Sequence, residues 1–191
     1  MTTQTPEKIL QVARRLFAQQ GYTAPSIRQV AEETGIGKAT IYHHFPDKQA
    51  IIMALLEQNQ AIMQDNLARM RAEADPRRRF QVAAELSIRY LLESADILQI
   101  ARREVPGGRE LMMKGFDAFM QEFRSLLADS IRAGTEQGIF RAVDPAQAAL
   151  VFQTMIQGSF AMTYLSRSRP ESPEKTSALL LEIFFQGIDA R

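Results

Sequence analysis

Apolar residues recur every three or four positions along most of this chain, which is the spacing of one face of an α-helix. Near the N-terminus, Thr5 and Pro6 form an N-cap and first-turn pair. One apolar face follows and ends before Gly21; it consists of Ile9, Val12, Ala13, Leu16 and Phe17. The sequence has no convincing run of alternating β-branched residues, the pattern typical of strands. The pattern therefore predicts an all-α fold with about nine helices.

Two short helices separated by a glycine turn are predicted between residues 26 and 44. Ser26, followed three residues later by Gln29, forms a capping box that starts the first of them. Gly35 stands after its last apolar turn, where a left-handed C-cap favours glycine, and Gly37 opens the next helix. This spacing predicts a tight turn between two short helices, which is the arrangement of a helix-turn-helix.

The second short helix, about 38 to 44, is expected to bury Ile41 and Phe45 against the rest of the module. Its other positions form a polar and aromatic outer face, made of Lys38, Thr40, Tyr42, His43 and His44. A polar helix face of this kind suits entry into a groove of DNA. Lysine can donate to guanine O6 or N7 and a threonine methyl can contact thymine, so Lys38, Thr40 and His43 are assigned to contacts with the bases. His44 is left to either a phosphate contact or packing.

Five further helices are predicted after a long amphipathic helix that begins at Pro46 and Asp47 and continues to Met70. Ser94 or Asp96 is taken as the start of a separate short helix, because both residues are typical N-caps. One uninterrupted helix is predicted from about 109 to 135. The five helices span about 75 to 92, 94 to 100, 109 to 135, 144 to 164 and 179 to 185.

The overall charge is close to neutral, at +1 over 191 residues, so the chain is not a polybasic binder. Residues 1–48 carry six basic side chains against four acidic ones, which leaves the remainder slightly acidic. The chain has no cysteine, which excludes disulfides and thiolate chemistry. It also shows neither a membrane-spanning apolar run nor a secretory signal, so we expect a soluble cytoplasmic protein without membrane association.

The stretches FAQQGY, IRQVAEETGIGKATIYHHF and DKQAII resemble the TetR family of bacterial transcription regulators, and EQGIFRAVDPAQAA resembles the segment before that family's penultimate helix. The resemblance implies a helix-turn-helix DNA-binding domain, set here at 1–48, and a larger helical effector-binding and dimerisation domain at 49–191. Three positions depart from the usual pattern: Gly37 for serine, Ala39 for glycine and Gln49 for glutamate. Without a hydroxyl at Gly37, no phosphate contact is assumed there.

Phosphate-contacting residues follow from the same resemblance. Lys48, in the first turn of the long helix, is expected to hold the DNA backbone, where the helix N-terminus adds to its charge. Tyr42 resembles the family tyrosine that donates to phosphate, and Ser26 and Arg28 resemble further anchors. Taken singly, Tyr42 is better interpreted as a half-buried core aromatic, and the basic residues as ordinary solvated charges; only their joint placement on a helix-turn-helix favours DNA contacts.

Other clusters are read as structural. A metal site at His43 and His44 is improbable because adjacent helical residues diverge by about 100°, so no metal and no cofactor are expected. Pro46 separates His43 from Asp47 and argues against a catalytic pair. The run from Arg77 to Arg79 is interpreted as solvated charge.

An effector site is implied by the resemblance, although most of the methionine and phenylalanine stripe near residue 120 is interpreted as plain core. The effector is expected to be a small apolar or amphipathic molecule. Candidate residues are Gln99, Arg102, Arg103, Phe116, Phe119, Met120, Phe123, Gln153 and Tyr164.

The last two helices carry apolar residues on more than one face, more than one chain is expected to bury. A homodimer through a four-helix bundle is therefore predicted, with full burial inside one chain as the alternative. The predicted interface residues are Leu150, Phe152, Met155, Phe160, Leu180, Ile183 and Phe184.

These features together predict a ligand-responsive transcriptional repressor that leaves a palindromic double-stranded DNA operator when an effector binds. An activator is not distinguished by any residue. The alternative from another class is a helical small-molecule carrier or an enzyme whose N-terminal module is a docking surface, although no catalytic constellation supports the enzyme.

Overall fold

The computed structural model describes residues 4–166 and 172–189, and these residues form nine α-helices. Their only strand-like pairing is an isolated bridge between Phe140 and Asp189. The all-α prediction of about nine helices is confirmed. The helices are α1 (Gln4–Gln20), α2 (Ile27–Thr34), α3 (Lys38–His44), α4 (Lys48–Ala72), α5 (Pro76–Glu104), α6 (Gly108–Met113), α7 (Phe116–Glu136), α8 (Pro145–Ser166) and α9 (Pro173–Ile188).

Two compact units divide the described chain. Unit 1 contains the described residues up to Ala61 together with Ser94–Gly115, and unit 2 contains Ile62–Glu93 and the described residues from Phe116 onward. The first part of α4 and the last part of α5 therefore belong with α1, α2 and α3. A single boundary at residue 48, as predicted from sequence, does not separate these units, although the functional division remains a prediction.

Helix α5 is one continuous helix of 29 residues, so the predicted break near Ser94 was wrong. Ser94 is fully buried, and its hydroxyl donates to Asn59 Oδ1 at 2.9 Å. A serine is a good N-cap only when its oxygen is needed by the first turn of a helix. Here the hydroxyl donates to a side chain on α4 instead, and α5 continues through Ser94 without a break.

The predicted single helix over 109 to 135 is instead two helices, α6 and α7, with Lys114 and Gly115 between them. Gly115 has a φ of +80°, which ends the helical path. The prediction divided α5, which is continuous, and joined α6 and α7, which are separate. These two errors cancel in the helix count, which was therefore correct although the boundaries near Ser94 and Gly115 were wrong.

The core of unit 2 is built on aromatic residues from three helices and one loop. Phe80 lies within 4.7 Å of the Phe152 ring and within 5.1 Å of the Phe184 ring, measured between centroids. Phe140, in the loop after α7, completes the cluster with Phe185 at 6.0 Å. Rings this close contribute about 0.5–1.5 kcal/mol per pair beyond the area they bury.

The arginine run at 77–79 is only partly solvated, which corrects its interpretation as a purely exposed charge cluster. Arg77 forms an ion pair with Asp189, and its guanidinium lies 4.4 Å from the centroid of the Phe185 ring. Arg79 Nε donates to the Glu73 carbonyl at 2.9 Å. Only Arg78 is exposed, so two of the three arginines hold the start of α5 against its neighbours.

Within the described residues, no helix combines the length and the apolar content needed to span a lipid bilayer.

Candidate nucleic-acid interface

The turn between α2 and α3 is fixed by local capping. Ser26 Oγ accepts a hydrogen bond from the Gln29 amide at 3.2 Å, and Gly35 ends α2 with φ +66° and ψ +17°. Gly37 is the N-cap of α3 and uses no side-chain hydrogen bond. The predicted start, turn and second start are all present, because each depends on residues close together in sequence.

Thr34 is a stabilising residue of this turn that sequence reasoning missed. Its side chain is buried, its hydroxyl donates to the Val30 carbonyl at 2.7 Å, and it accepts from the Ile36 amide at 3.3 Å. It therefore connects the last turn of α2 to the chain that leads into α3. A threonine just before a C-cap glycine is the signal that could have indicated it.

Helix α3 is anchored by its apolar residues. Ile41 is fully buried and Phe45 is 8% exposed, both within the apolar core of unit 1. This core also contains Phe17 from α1 and Ile51 and Ile52 from α4. The prediction that Ile41 and Phe45 face inward is confirmed, and their burial fixes the direction in which the opposite face of α3 points.

That opposite face is polar and accessible. Lys38, Thr40 and His43 are exposed, Tyr42 is 45% exposed, and His44 is half-buried. Lys38 Nζ lies 5.6 Å from the centroid of the Tyr42 ring one turn away. Tyr42 is absent from the apolar core of unit 1 and from the residues packed against it, which argues against the core-aromatic alternative. The Lys38 ammonium and the Tyr42 side chain are therefore neighbours on this exposed face of α3.

The start of α2 supplies two further polar groups. The Ser26 hydroxyl uses its oxygen in the cap and keeps a hydrogen to donate. Arg28 Nε donates to Glu32 at 2.8 Å, and this contact raises the pKa of the fully exposed guanidinium. Because arginine has five N–H donors, the remaining ones are available to an anion.

Lys48 lies in a more enclosed position than the sequence suggested. Its ammonium donates to the carbonyls of Thr23 at 2.8 Å and Pro25 at 3.1 Å, and it lies 4.7 Å from the centroid of the Tyr22 ring. Partial burial lowers the pKa of Lys48, while the Glu104 carboxylate acts in the opposite direction. Two of its three N–H donors are therefore used within the protein.

Six of the nine residues predicted to contact an effector lie in unit 2, and the side chains of five of them are described. Phe119 and Phe123 are buried on α7, while Phe116 and Met120 are half-buried beside them. Gln153, on α8 and 5% exposed, donates through Nε2 to Met120 Sδ at 3.0 Å, and its Oε1 is buried without a hydrogen-bond partner. This group combines an apolar wall with one unsatisfied polar atom.

Three of the other effector candidates belong to unit 1. Gln99 is half-buried and Arg102 and Arg103 are exposed near the end of α5, in the part of that helix that belongs to unit 1. The side chain of Tyr164 lies outside the described residues.

The predicted dimer face needs correction. Phe152, Leu180 and Phe184 are at most 5% exposed and lie in the core of their own chain, so they do not form a surface. Met155 is half-buried, and the side chain of Phe160 is outside the described residues. Among the side chains that the structure describes, four large apolar residues of α8 and α9 are exposed. Leu150 and Ile183, at 40% and 55%, belong to the predicted interface, and Val151 and Leu179, at 54% and 58%, were not assigned to it.

Comparison with known proteins matches both parts of this arrangement. The family described as "Bacterial regulatory proteins, tetR family" matches residues 9–55, and the one described as "AefR-like transcriptional repressor, C-terminal domain" matches residues 90–180. The first match covers the helix-turn-helix and the start of α4. The second reaches from α5 into α9.

Individual relatives agree with these matches. YvkB of Bacillus subtilis, an uncharacterised HTH-type transcriptional regulator, is 28% identical over 156 residues, or 82% of this chain and 81% of YvkB. The repressor AcnR of Corynebacterium glutamicum is 39% identical over 61 residues, only 32% of each chain. A solved putative transcriptional regulator from Saccharomonospora viridis, in complex with choline, has a TM-score of 0.72 and 27% identity over 100% of both chains.

The exposed polar face of α3, its buried anchor and the two family matches lead to one conclusion. The chain belongs to the TetR family of bacterial transcriptional regulators and is a ligand-responsive DNA-binding regulator.

Proposed function

We propose that this protein is a repressor that binds a palindromic operator as a homodimer. We propose further that it leaves the operator when a small molecule binds the larger helical domain, residues 49–191. The observation that carries the proposal is the outer face of α3, which is accessible and polar while Ile41 and Phe45 hold the other side in a core. A short helix presented in this way fits the major groove.

Base contacts are assigned to Lys38, Thr40 and His43, which share the exposed face of α3. Phosphate contacts are assigned to the groups around it, namely Ser26, Arg28, Tyr42, His44 and Lys48. Two of the three N–H donors of Lys48 bond to the Thr23 and Pro25 carbonyls, and the third is assigned to a phosphate. Phosphate contacts set the register of the protein on the duplex, and base contacts select the sequence.

Dimerisation is proposed through the exposed apolar residues of α8 and α9. Leu179 and Ile183 are four residues apart and share one apolar stripe on α9, while the adjacent Leu150 and Val151 are both exposed on α8. Exposed apolar residues grouped on two helices are typical of an interface. A twofold axis then pairs two copies of α3 with two half-sites, about one helical turn of DNA apart.

An effector site is proposed around the apolar wall of Phe119, Met120 and Phe123. The unpartnered Gln153 Oε1 favours a ligand that donates a hydrogen bond there, because a buried acceptor without a partner is unfavourable. The Saccharomonospora viridis relative was solved in complex with choline, a small cation that carries a hydroxyl donor. A ligand changes operator occupancy only if it binds the DNA-competent and DNA-incompetent states with different affinity.

Substitution of Lys38 by alanine tests the assigned interface. Fragments are first selected by the wild-type protein from sheared genomic DNA of the bacterium that encodes it, and binding is then followed by fluorescence anisotropy at several salt concentrations. Loss of a groove lysine is expected to weaken binding by about tenfold or more and to lower the salt slope by about one per protomer.

Lys114→Ala is the matched control for this experiment, because Lys114 is an exposed lysine in the link between α6 and α7. It removes the same charge without altering α3, so its affinity is expected to stay within about twofold. If Lys38→Ala binds like Lys114→Ala, the α3 interface is wrong. If the wild-type protein retains no fragment at all, the carrier alternative is favoured over the regulator.

The sign of regulation is tested separately with a reporter gene placed behind a selected fragment. Deleting the regulator is expected to raise reporter expression, because a repressor blocks the promoter it covers. Lower expression after deletion would identify an activator.

A further inference from the structure

The loop from Gly21 to Pro25, which joins α1 to α2, is held from two sides by charged side chains. Glu104, the last residue of α5, lies against its start: its Oε2 is 3.0 Å from the position that a Cβ on Gly21 would occupy. Lys48, in the first turn of α4, holds its later part. We call these two side chains and the loop the loop clamp.

The Glu104 contact is a hydrogen bond to the main chain. The Tyr22 amide donates to Glu104 Oε2 at 2.7 Å, across 82 positions of sequence. A bond from a backbone amide to an ionised carboxylate is short and stronger than one between neutral groups. It fixes the first part of the loop, and Lys48 holds the later part.

The Lys48 contacts continue the same restraint along the loop. Its ammonium bonds to the carbonyls of Thr23 and Pro25 and lies over the Tyr22 ring. Together the two side chains satisfy one amide and two carbonyls within four consecutive residues. The next residue is Ser26, the N-cap of α2, so the end of the clamped loop is the start of the helix-turn-helix.

We propose that Glu104 is a positioning residue for DNA binding: by holding the Tyr22 amide, it sets the loop from which α2 starts and so the orientation of α3. It touches no DNA and acts through the loop clamp. This inference rests on the proposed function, since it assigns Glu104 a role in the affinity of the α3 interface. It also makes the carboxyl end of α5 a determinant of operator binding.

The sign of the effect separates positioning from simple electrostatics. Removing a negative charge from a DNA-binding unit raises its attraction to phosphates, so charge alone predicts tighter binding. If Glu104 acts through the loop clamp, its loss is expected to weaken DNA binding, because the released loop must be ordered before α2 and α3 bind DNA. The two explanations therefore give opposite results for the same substitution.

The test uses Glu104→Ala, Glu104→Gln and the control Glu110→Ala in the full chain. Glu110 is an exposed glutamate on α6, also in unit 1, and its removal changes the charge equally. Affinity is measured for a labelled fragment that the wild-type protein selects from genomic DNA. Glu104→Ala is expected to bind about five- to tenfold more weakly with an undiminished salt slope, and Glu110→Ala as tightly as wild type or more so.

Glu104→Gln keeps an acceptor oxygen for the Tyr22 amide and is expected to restore binding to within about twofold of wild type. A second readout is hydrogen exchange at the Tyr22 amide, which should be at least about tenfold faster in Glu104→Ala and near wild type in Glu104→Gln. A residue that supported only overall stability would lower the unfolding midpoint instead of acting on this amide selectively.

Unchanged or tighter binding by Glu104→Ala, or equal weakening of Glu104→Gln and Glu104→Ala, overturns the proposal. Protection of the Tyr22 amide that is unaltered in Glu104→Ala overturns the clamp itself, whether or not DNA is bound. A wild-type protein that selects no fragment while Tyr22 exchange responds as expected would refute the DNA-binding assignment and leave the loop contact intact.

Discussion

Replacement of Ile183 by aspartate is expected to convert the proposed dimer to a monomer and to weaken operator binding by at least about a hundredfold. Ile183 is 55% exposed on α9, close along the helix to Leu179, and it lies on the surface rather than in the core. The fold should therefore tolerate the change. The charge acts only when this face is buried against a second copy.

Two costs add at that interface. An aspartate buried without a partner loses its hydration, and across a twofold axis the same charge is introduced by both copies. A monomer presents a single α3 and reads a single half-site, so the contacts of the other half-site are lost together. The combined effect on DNA binding is for this reason larger than that of removing one base-contacting side chain.

Met113→Asp is the matched control, because Met113 is 46% exposed on α6 and lies outside α8 and α9. Sedimentation equilibrium gives the oligomeric state, and anisotropy with a selected DNA fragment gives the affinity. A dimer that persists in Ile183→Asp, or one lost equally in Met113→Asp, would contradict the proposed interface.

The helix-turn-helix could be predicted closely because its signals are local. The Ser26 cap, the left-handed Gly35 and the start at Gly37 each depend on neighbours a few residues away, and the alternation of Ile41 with polar residues fixes the outer face of α3. What could not be predicted was the loop contact of Glu104, since its partner lies 82 positions earlier in sequence.

The helices of the larger domain, residues 49–191, were harder to predict because long-range contacts overrode local signals. Ser94 is of a residue type that is typical of an N-cap, but its hydroxyl donates to Asn59. The helix break that does occur, between α6 and α7, follows from the positive φ of Gly115. Periodicity also identifies an apolar helix without telling which face its own chain covers. Phe152 was assigned to the interface and is core, while its neighbour Val151 is exposed.

Substitution of Gly134 by alanine is expected to lower the free energy of unfolding by about 2–3 kcal/mol. A Cβ at this position would lie 2.3 Å from Phe140 Cδ2 and 2.5 Å from Cε2. The ring has no free space, because Phe140 is 2% exposed and is in contact with the Phe80 and Phe185 rings. The backbone cannot withdraw easily either, since the Gly134 carbonyl accepts from the amides of Ile139 and Phe140.

The double variant Gly134→Ala/Phe140→Leu separates overpacking from loss of ring contacts. Phe140→Leu alone removes aromatic contacts and is expected to be destabilising by about 1–2 kcal/mol. If the clash is the cause, the smaller leucine relieves it, and the double variant is more stable than the sum of the single changes by about 1 kcal/mol or more. Urea unfolding at one fixed protomer concentration measures each corner of the cycle, because the stability of a dimer depends on concentration. Strictly additive changes would mean that the methyl group disturbs α7 itself rather than the ring beside it.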